Sequence, residues 1–419
     1  MSNTSKFTIL KIRDTINYEK SYFYLTIILA FLLPITKAGI SLIIILLGLL
    51  WIVEGDFKRK YQEIKSSKLL VAFFIFFIFS LLSVLWSSNI EIALHIARKN
   101  TYFFIIFVLA TSLKKEHIQP IITSFLSAMF LSEVITYGVF FEFWTFWHAT
   151  PTYLSPIMHH IDYSVFLAFS AILLLNRILS NRYTLKEKIL FGIFFLTVTG
   201  NLFLSIGRTG QVSFIAAIVV MSFMHFKISF KSLLLSTLLI FSILTAAYNL
   251  SSFFKQRVHQ GYDDIQKITN LNFDTSLGVR AAFWIATYDI MKENPLIGVG
   301  LGDYINETAK VANKAEFSYF GDYSYAFLTR YHPHNQFLLI AIQMGLVGLI
   351  LFFYIIYTLL RQTIDDPEIK ELSILFSTVF FVSCLSEPLL IKQFPLSLFI
   401  LFMGIFAIYS IKKVPTKMQ

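Results

Sequence analysis

Charged residues are scarce in this 419-residue chain, at 14%, and cysteine is nearly absent, with Cys384 standing alone. A single cysteine allows no intrachain disulfide, and no CxxC or Cys/His zinc spacing occurs, so disulfide scaffolds and structural zinc modules are excluded. The charge deficit also excludes soluble multidomain enzymes and disordered interaction proteins: 56% of residues are hydrophobic, 46 are Phe, and mean hydropathy is +0.68. One water-soluble core could not absorb that much apolar surface. An all-α integral membrane protein follows. No small-residue cleavage site follows the first apolar run, which is therefore expected to stay as a span. No internal repeat is evident, so the inverted-repeat signature of many secondary transporters is missing.

A net charge of +10 would point a soluble protein toward nucleic acid. Here the basic residues sit in short segments between apolar runs, where they set topology, and nucleic acid is not expected as a partner. A membrane-spanning helix needs about 20 mostly apolar residues. Twelve candidate runs lie near 20–36, 38–53, 69–86, 101–113, 118–142, 161–176, 189–206, 210–226, 232–250, 335–360, 372–390 and 394–411. With the N-terminus inside, the inner segments collect Lys58, Arg59, Lys60, Lys65 and Lys68; Lys114 and Lys115; Arg177, Arg182, Lys186 and Lys188; Lys227 and Lys231; and Lys412, Lys413 and Lys417. Both termini are then cytoplasmic. Three regions result: transmembrane helices 1–9 in 1–250, a periplasmic loop with amphipathic helices in 251–334, and transmembrane helices 10–12 in 335–419.

Within the loop, 276–293 reads as an amphipathic helix capped by Ser276, with Ala281, Trp284, Ile285 and Tyr288 at helical spacing and Asn294-Pro295 ending it. Gly298-Val299-Gly300-Leu301-Gly302-Asp303 follows as a tight turn; no strand precedes it and its third Gly is misplaced for a dinucleotide fingerprint.

Charge in or beside a span is costly, so polar groups on the outer side ask for a reason. Gly207-Arg208-Thr209-Gly210 forms a polar junction between spans, where Arg208 either snorkels to headgroups or binds a ligand. Arg280 lies on the loop helix, as a solvated arginine or a second ligand-binding one. Tyr331-His332-Pro333-His334-Asn335 precedes the tenth span, and its two histidines can face one cavity from an extended backbone. They suit proton transfer, helix capping or metal binding. Asp303 and Asp322 share the loop, yet no clear ligand set is complete, and no metal is expected. Arg98, Lys99, Glu387 and Lys392 also fall on the outer side, as anchors or further contacts. His159 and His160 are adjacent, point about 100° apart on a helix, and read as interfacial. Trp144, Phe146, Trp147 and Tyr153 fit an outer aromatic belt, with a ligand role as the alternative, and the many Phe elsewhere read as lipid-facing bulk.

Two arginines and a histidine pair beside a large apolar interior suit a phosphorylated lipid. Arginine presents a planar fork to phosphate oxygens, and a histidine near cations is biased toward its proton-accepting form. Arginines can also stabilise a diphosphate leaving group without a metal. Group transfer is the expected reaction; a flippase of the same lipid, or a structural subunit, are the competing classes. A transporter should hold its charges near the bilayer midplane rather than at one face.

These residues resemble the O-antigen ligase and O-antigen polymerase superfamily, which also includes bacterial protein O-oligosaccharyltransferases. The resemblance rests on Asn294-Pro295-Leu296-Ile297-Gly298-Val299-Gly300-Leu301-Gly302, on His334-Asn335-Gln336-Phe337-Leu338 running to Gly345-Leu346-Val347-Gly348, and on Arg208 and Arg280. It covers about 200–400, and the length looks most like the ligases. It implies a GT-C-type, metal-independent and cofactor-free glycosyltransferase of lipopolysaccharide biosynthesis. The site would lie on the periplasmic face of a Gram-negative inner membrane. The implied donor is a glycan on undecaprenyl diphosphate, and the implied acceptor is a hydroxyl of lipid A–core oligosaccharide. His334 would be the general base, His332 a supporting or alternative base, and Arg208 and Arg280 the diphosphate ligands. Arg98, Lys99 and Lys392 are candidate contacts for the acceptor's phosphates.

Overall fold

The computed structural model describes residues 16–226, 230–250 and 252–411. These fold into α1 (Tyr18–Leu32), α2 (Lys37–Glu54), α3 (Phe57–Ser66), α4 (Lys68–Leu82), α5 (Ile90–Asn100), α6 (Phe104–Ser112), α7 (Ile118–Phe140), α8 (His160–Leu179) and α9 (Leu185–Leu204). There follow α10 (Arg208–Phe226), α11 (Phe230–Leu250), α12 (Ser252–Thr269), α13 (Ser276–Glu293), α14 (Tyr304–Ala312), α15 (Asp322–Arg330), α16 (Gln336–Arg361), α17 (Pro367–Cys384) and α18 (Gln393–Ile408). The β pairing among the described residues is two isolated bridges, Phe146 with Ala149 and Thr150 with Tyr153. The all-α expectation is met.

Helix occupies every predicted run, but six helical stretches of the described residues are long and apolar enough to cross a membrane: Lys37–Glu54, Ile90–Ser112, Lys115–Phe140, His160–Leu179, Leu185–Leu204 and Gln336–Arg361. A seventh appears if α3 and α4, bent by 103°, count as one. Three of the others fall short for physical reasons. α1 has 15 residues and α18 has 16, under the roughly 20 a bilayer asks for, and α17 begins with Glu368, Lys370 and Glu371. The run predicted at 101–113 actually begins at Ile90, which puts Arg98 and Lys99 on a helix instead of in a loop.

The basic segments counted as inner do meet at one end. Arg59 Nη1 donates to the Thr111 carbonyl at 3.1 Å, Lys115 pairs with Asp365 at 2.5 Å, and Arg182 pairs with Asp366 at 2.8 Å. Lys227, Lys412, Lys413 and Lys417 lie outside the described residues, as does the side chain of Lys231. Phenylalanine is not mere lipid-facing bulk. Phe169 packs on Phe402 with ring centroids 4.6 Å apart, and Phe380 on Phe399 at 4.8 Å, inside a core that buries most of α8 and α18. Such pairs add about 0.5–1.5 kcal/mol each beyond area burial.

Residues 252–334 fold over the opposite end. Their own small core joins Phe273, Val279, Phe283, Ile290 and Leu328 to Leu338 and Ile342 of α16. Two expectations for α13 are corrected. Its cap is Thr275, whose Oγ1 accepts from the Gly278 amide at 3.0 Å, and Ser276 turns to the arginines instead. Its buried face is Val279, Ala282, Phe283, Ala286 and Ile290, whereas Trp284 is 55% and Tyr288 69% exposed. Both faces are apolar, so periodicity alone could not say which one meets protein.

The glycine turn after α13 docks into a break in α16. Gly345 has φ 61° and ψ −160° inside that helix, which frees carbonyls above it. Val299 and Gly300 amides donate to the Ile342 and Gln343 carbonyls at 2.8 and 3.0 Å, while Leu346 and Val347 amides donate back to Pro295 and Leu296 at 2.9 and 3.0 Å. A Cβ on Gly298, itself at φ +66°, would lie 2.4 Å from the Ile342 carbonyl oxygen. Asp303 then clamps the turn, accepting from Ser87 Oγ, Ser88 N and Asn89 N at 2.6–2.9 Å. Its carboxylate is committed there and holds no place beside the histidines.

Candidate functional site

A cavity of about 300 Å³ opens at the loop-covered end, lined by His159, His160, Arg208, Arg257, Arg280 and His334 among others. Each reaches it by a local cause. α9 ends at Leu204, and Gly207 and Gly210 let α10 start in close contact with α8: a Cβ on Gly210 would lie 2.1 Å from the Ser164 carbonyl oxygen, and its amide donates to Ser164 Oγ at 3.1 Å. That contact sets Arg208, the first residue of α10, at the cavity. Arg280 sits one turn into α13 and donates through Nη1 to the Ser276 carbonyl at 2.9 Å. Arg208 Nη2 reaches Ser276 Oγ at 3.4 Å, so one serine bridges the two guanidiniums. The Nε of Arg280 is buried with no hydrogen-bond partner. A buried donor without an acceptor is uncommon and marks a place for an anionic ligand.

His334 comes from the extended segment before α16. Asn335, not a histidine, caps that helix: its Oδ1 accepts from Phe337 and Leu338 amides at 2.8 and 3.1 Å, and its Nδ2 donates to the Leu385 carbonyl at 3.0 Å. His334 Nδ1 lies 3.0 Å from Glu387 Oε2. Lys392 Nζ faces the other oxygen of Glu387 at 2.7 Å and Asp162 at 3.2 Å. Burial raises the Glu387 carboxyl, but the His334 hydrogen bond and the Lys392 charge outweigh it and hold it at about 2. Burial likewise opposes the Lys392 charge, and Asp162 with Glu387 reverses this, so its ammonium is stabilised. An ionised Glu387 can only accept. Nδ1 of the neutral ring therefore carries the hydrogen, and Nε2 is left as the acceptor.

Of Arg208, Arg280, His332 and His334, the structure brings three to one cavity. His332 does not line it; its Nε2 stands 4.0 Å from Glu387 and its ring 5.3 Å from that of His334. Burial lowers its pKa more than Glu387 raises it. His332, His334 and Glu387 offer one ligand atom each within 4.8 Å of one another, yet the cation facing this carboxylate is Lys392. Lys392 is thus tied up by two carboxylates, and Lys99 Nζ points to the Ile391 carbonyl at 3.4 Å. Arg98 is exposed on α5, and neither Arg98 nor Lys99 lines the cavity.

Arg257, on α12, is not singled out by the sequence, because an arginine in a long polar helix carries no local signal. His159 and His160, which read as interfacial in the sequence, line the cavity. The partnership of Glu387 with His334 spans 53 residues; the outer position of Glu387 was the only hint. Two apolar grooves adjoin the arginines. One, of about 460 Å³, runs past Leu277, Ala281, Trp284 and Val382 to Arg208 and Arg280. The other, of about 180 Å³, runs past Val212, Leu244 and Val258 to Arg208 and Arg257. The arrangement can bind a multiply charged anion that bears an apolar tail, and can take a proton beside it.

No curated protein matches the chain. The family model described as O-antigen ligase matches residues 193–353, the stretch that holds Arg208, Arg257, Arg280 and His334.

Proposed function

We propose that this protein is an O-antigen ligase, moving a glycan from undecaprenyl diphosphate to a hydroxyl of lipid A–core oligosaccharide without a metal ion. The match to the O-antigen ligase family model supports ligase- or polymerase-type function in a membrane. The observation that carries the finer reading is the orphaned Nε of Arg280 in a cavity shared with Arg208 and His334. In the proposed step, His334 Nε2 takes the proton of the acceptor hydroxyl and its oxygen bonds to the anomeric carbon. The bond from that carbon to the diphosphate oxygen breaks, and the electron pair leaves on the diphosphate, where Arg208, Arg280 and Arg257 offset the charge. A single displacement inverts the anomeric centre. The twelve-span GT-C arrangement, with 251–334 periplasmic and both termini cytoplasmic, belongs to the same proposal and rests on the lysine and arginine distribution.

Purified protein given lipid-linked glycan and lipid A–core should yield a higher-mass lipopolysaccharide product, unchanged by chelator. No product with lipid A–core, but lengthening of the lipid-linked glycan, would make it a polymerase. Glycan movement across vesicles without any new bond would make it a flippase. Glycan appearing on protein hydroxyls instead would make it a protein O-oligosaccharyltransferase.

A further inference from the structure

The cavity lining is chemically divided. Three guanidiniums serve an anion, whereas His159 and His160, where the hairpin after α7 returns into α8, present neutral-capable rings. Those two rings lie 4.1 Å apart, and the Tyr153 ring meets His160 edge-on at 5.9 Å and 78°. Tyr153 is held in place by its bridge to Thr150, with backbone N···O distances of 2.9 and 3.1 Å. His160 Nδ1 is buried and has no hydrogen-bond partner, although its residue lines an open cavity. That nitrogen calls for a ligand group. An imidazole nitrogen offers one donor or one acceptor, which fits a hydroxyl, and ring surfaces fit the C–H face of a pyranose.

We propose that His160 and His159, with the Tyr153 ring packed edge-on against His160, form a neutral-sugar subsite beside the diphosphate-binding arginines. The ring it takes is the acceptor hexose or the first sugar of the donor; this rests on the ligase reading. A phosphate would seat on the guanidiniums and leave His160 Nδ1 unmet. A sugar linked to that phosphate, or approaching it, meets both.

The test measures binding of three probes to the full-length protein: undecaprenyl diphosphate, the same lipid bearing its glycan, and lipid A–core. Turnover is recorded alongside. His160→Ala should weaken one or both sugar-bearing probes about 10-fold, the size expected for one lost hydrogen bond with its packing, and leave undecaprenyl diphosphate unchanged. Weakening of the lipid-linked glycan alone assigns the subsite to the donor, and weakening of lipid A–core alone assigns it to the acceptor. His160→Gln should recover part of the loss. Tyr153→Ala should reproduce it where His160→Ala lowers the melting temperature, and Tyr153→Phe should not. Equal weakening of all three probes, or of none, overturns the subsite. Wild-type protein that binds the sugars yet transfers nothing overturns the ligase reading and leaves the subsite standing.

Discussion

His334 Nδ1 lies 3.0 Å from Glu387 Oε2, across 53 residues of sequence. The carboxylate is 1% exposed and has Lys392 against its other oxygen. An ionised acceptor thereby fixes which imidazole nitrogen carries the hydrogen and which way the ring faces. The His334 hydrogen bond and the lysine keep the carboxylate ionised, so imidazole, orienting carboxylate and counter-charge form one unit drawn from the segment before α16 and the hairpin between α17 and α18.

His334→Ala should lower transfer by about 10² to 10⁴ while donor binding persists, since a lost general base leaves the phosphate contacts in place. Glu387→Gln should lower the rate about 10- to 100-fold by loosening the ring's orientation. Glu387→Ala should also destabilise the fold by roughly 3 kcal/mol, because Lys392 loses a buried partner. Steady-state rates and thermal melts in detergent separate the two effects; full activity in His334→Ala would remove that residue from the base role.

The pH dependence of stability should show two regions. The His332 ring has a folded pKa below its ordinary 6.5. Its contribution is complete above 6.5 and is lost as pH falls through that value, because the unfolded chain then binds the extra proton. Glu387, held at about 2 against an ordinary 4.5, contributes fully above 4.5 and loses its part as pH falls from there toward 2. His332→Gln should therefore lessen the fall in melting temperature as pH drops below 6.5 and leave the decline below 4.5 intact. A wild-type melt that does not change over the upper range would contradict the first assignment.

Arg280→Lys should weaken donor binding roughly 10- to 100-fold, because a point charge does not reproduce the fork and leaves no group at the Nε position. The same exchange at Arg98 should leave donor binding unchanged, since that side chain lies on α5 away from the cavity lining. Titration with undecaprenyl diphosphate measures both; equal effects would mean that overall charge, not placement, governs binding.

Gly298→Ala should cost about 1–3 kcal/mol, since the residue is at φ +66° and its Cβ would press on the Ile342 carbonyl. Gly192→Ala, in the interior of α9 with nothing within 4 Å of the added carbon, should be neutral or stabilise by up to about 1 kcal/mol. Melting temperatures of the two variants, side by side, test whether the turn's docking into α16 holds the loop over the cavity.

Arg208 and His334 are legible in the chain itself because a cation or an imidazole beside an apolar run is costly and stands out against a hydrophobic background, whereas Arg280, on the loop helix, stands out only through the family resemblance. The helical class was legible for the same reason: lipid leaves a backbone no other way to satisfy its amides short of a closed barrel. The face that α13 buries was not, since Trp284 and Val279 are both apolar and one helix cannot reveal its neighbour. The convergence of Arg257, His159 and His160, and the pairing of Glu387 with His334, were decided by tertiary packing. α10 sits against α8 through Gly210, and α16 breaks at Gly345 to receive the 295–300 turn. Those contacts join positions tens of residues apart, and no local pattern encodes a distance that only the assembled helices define.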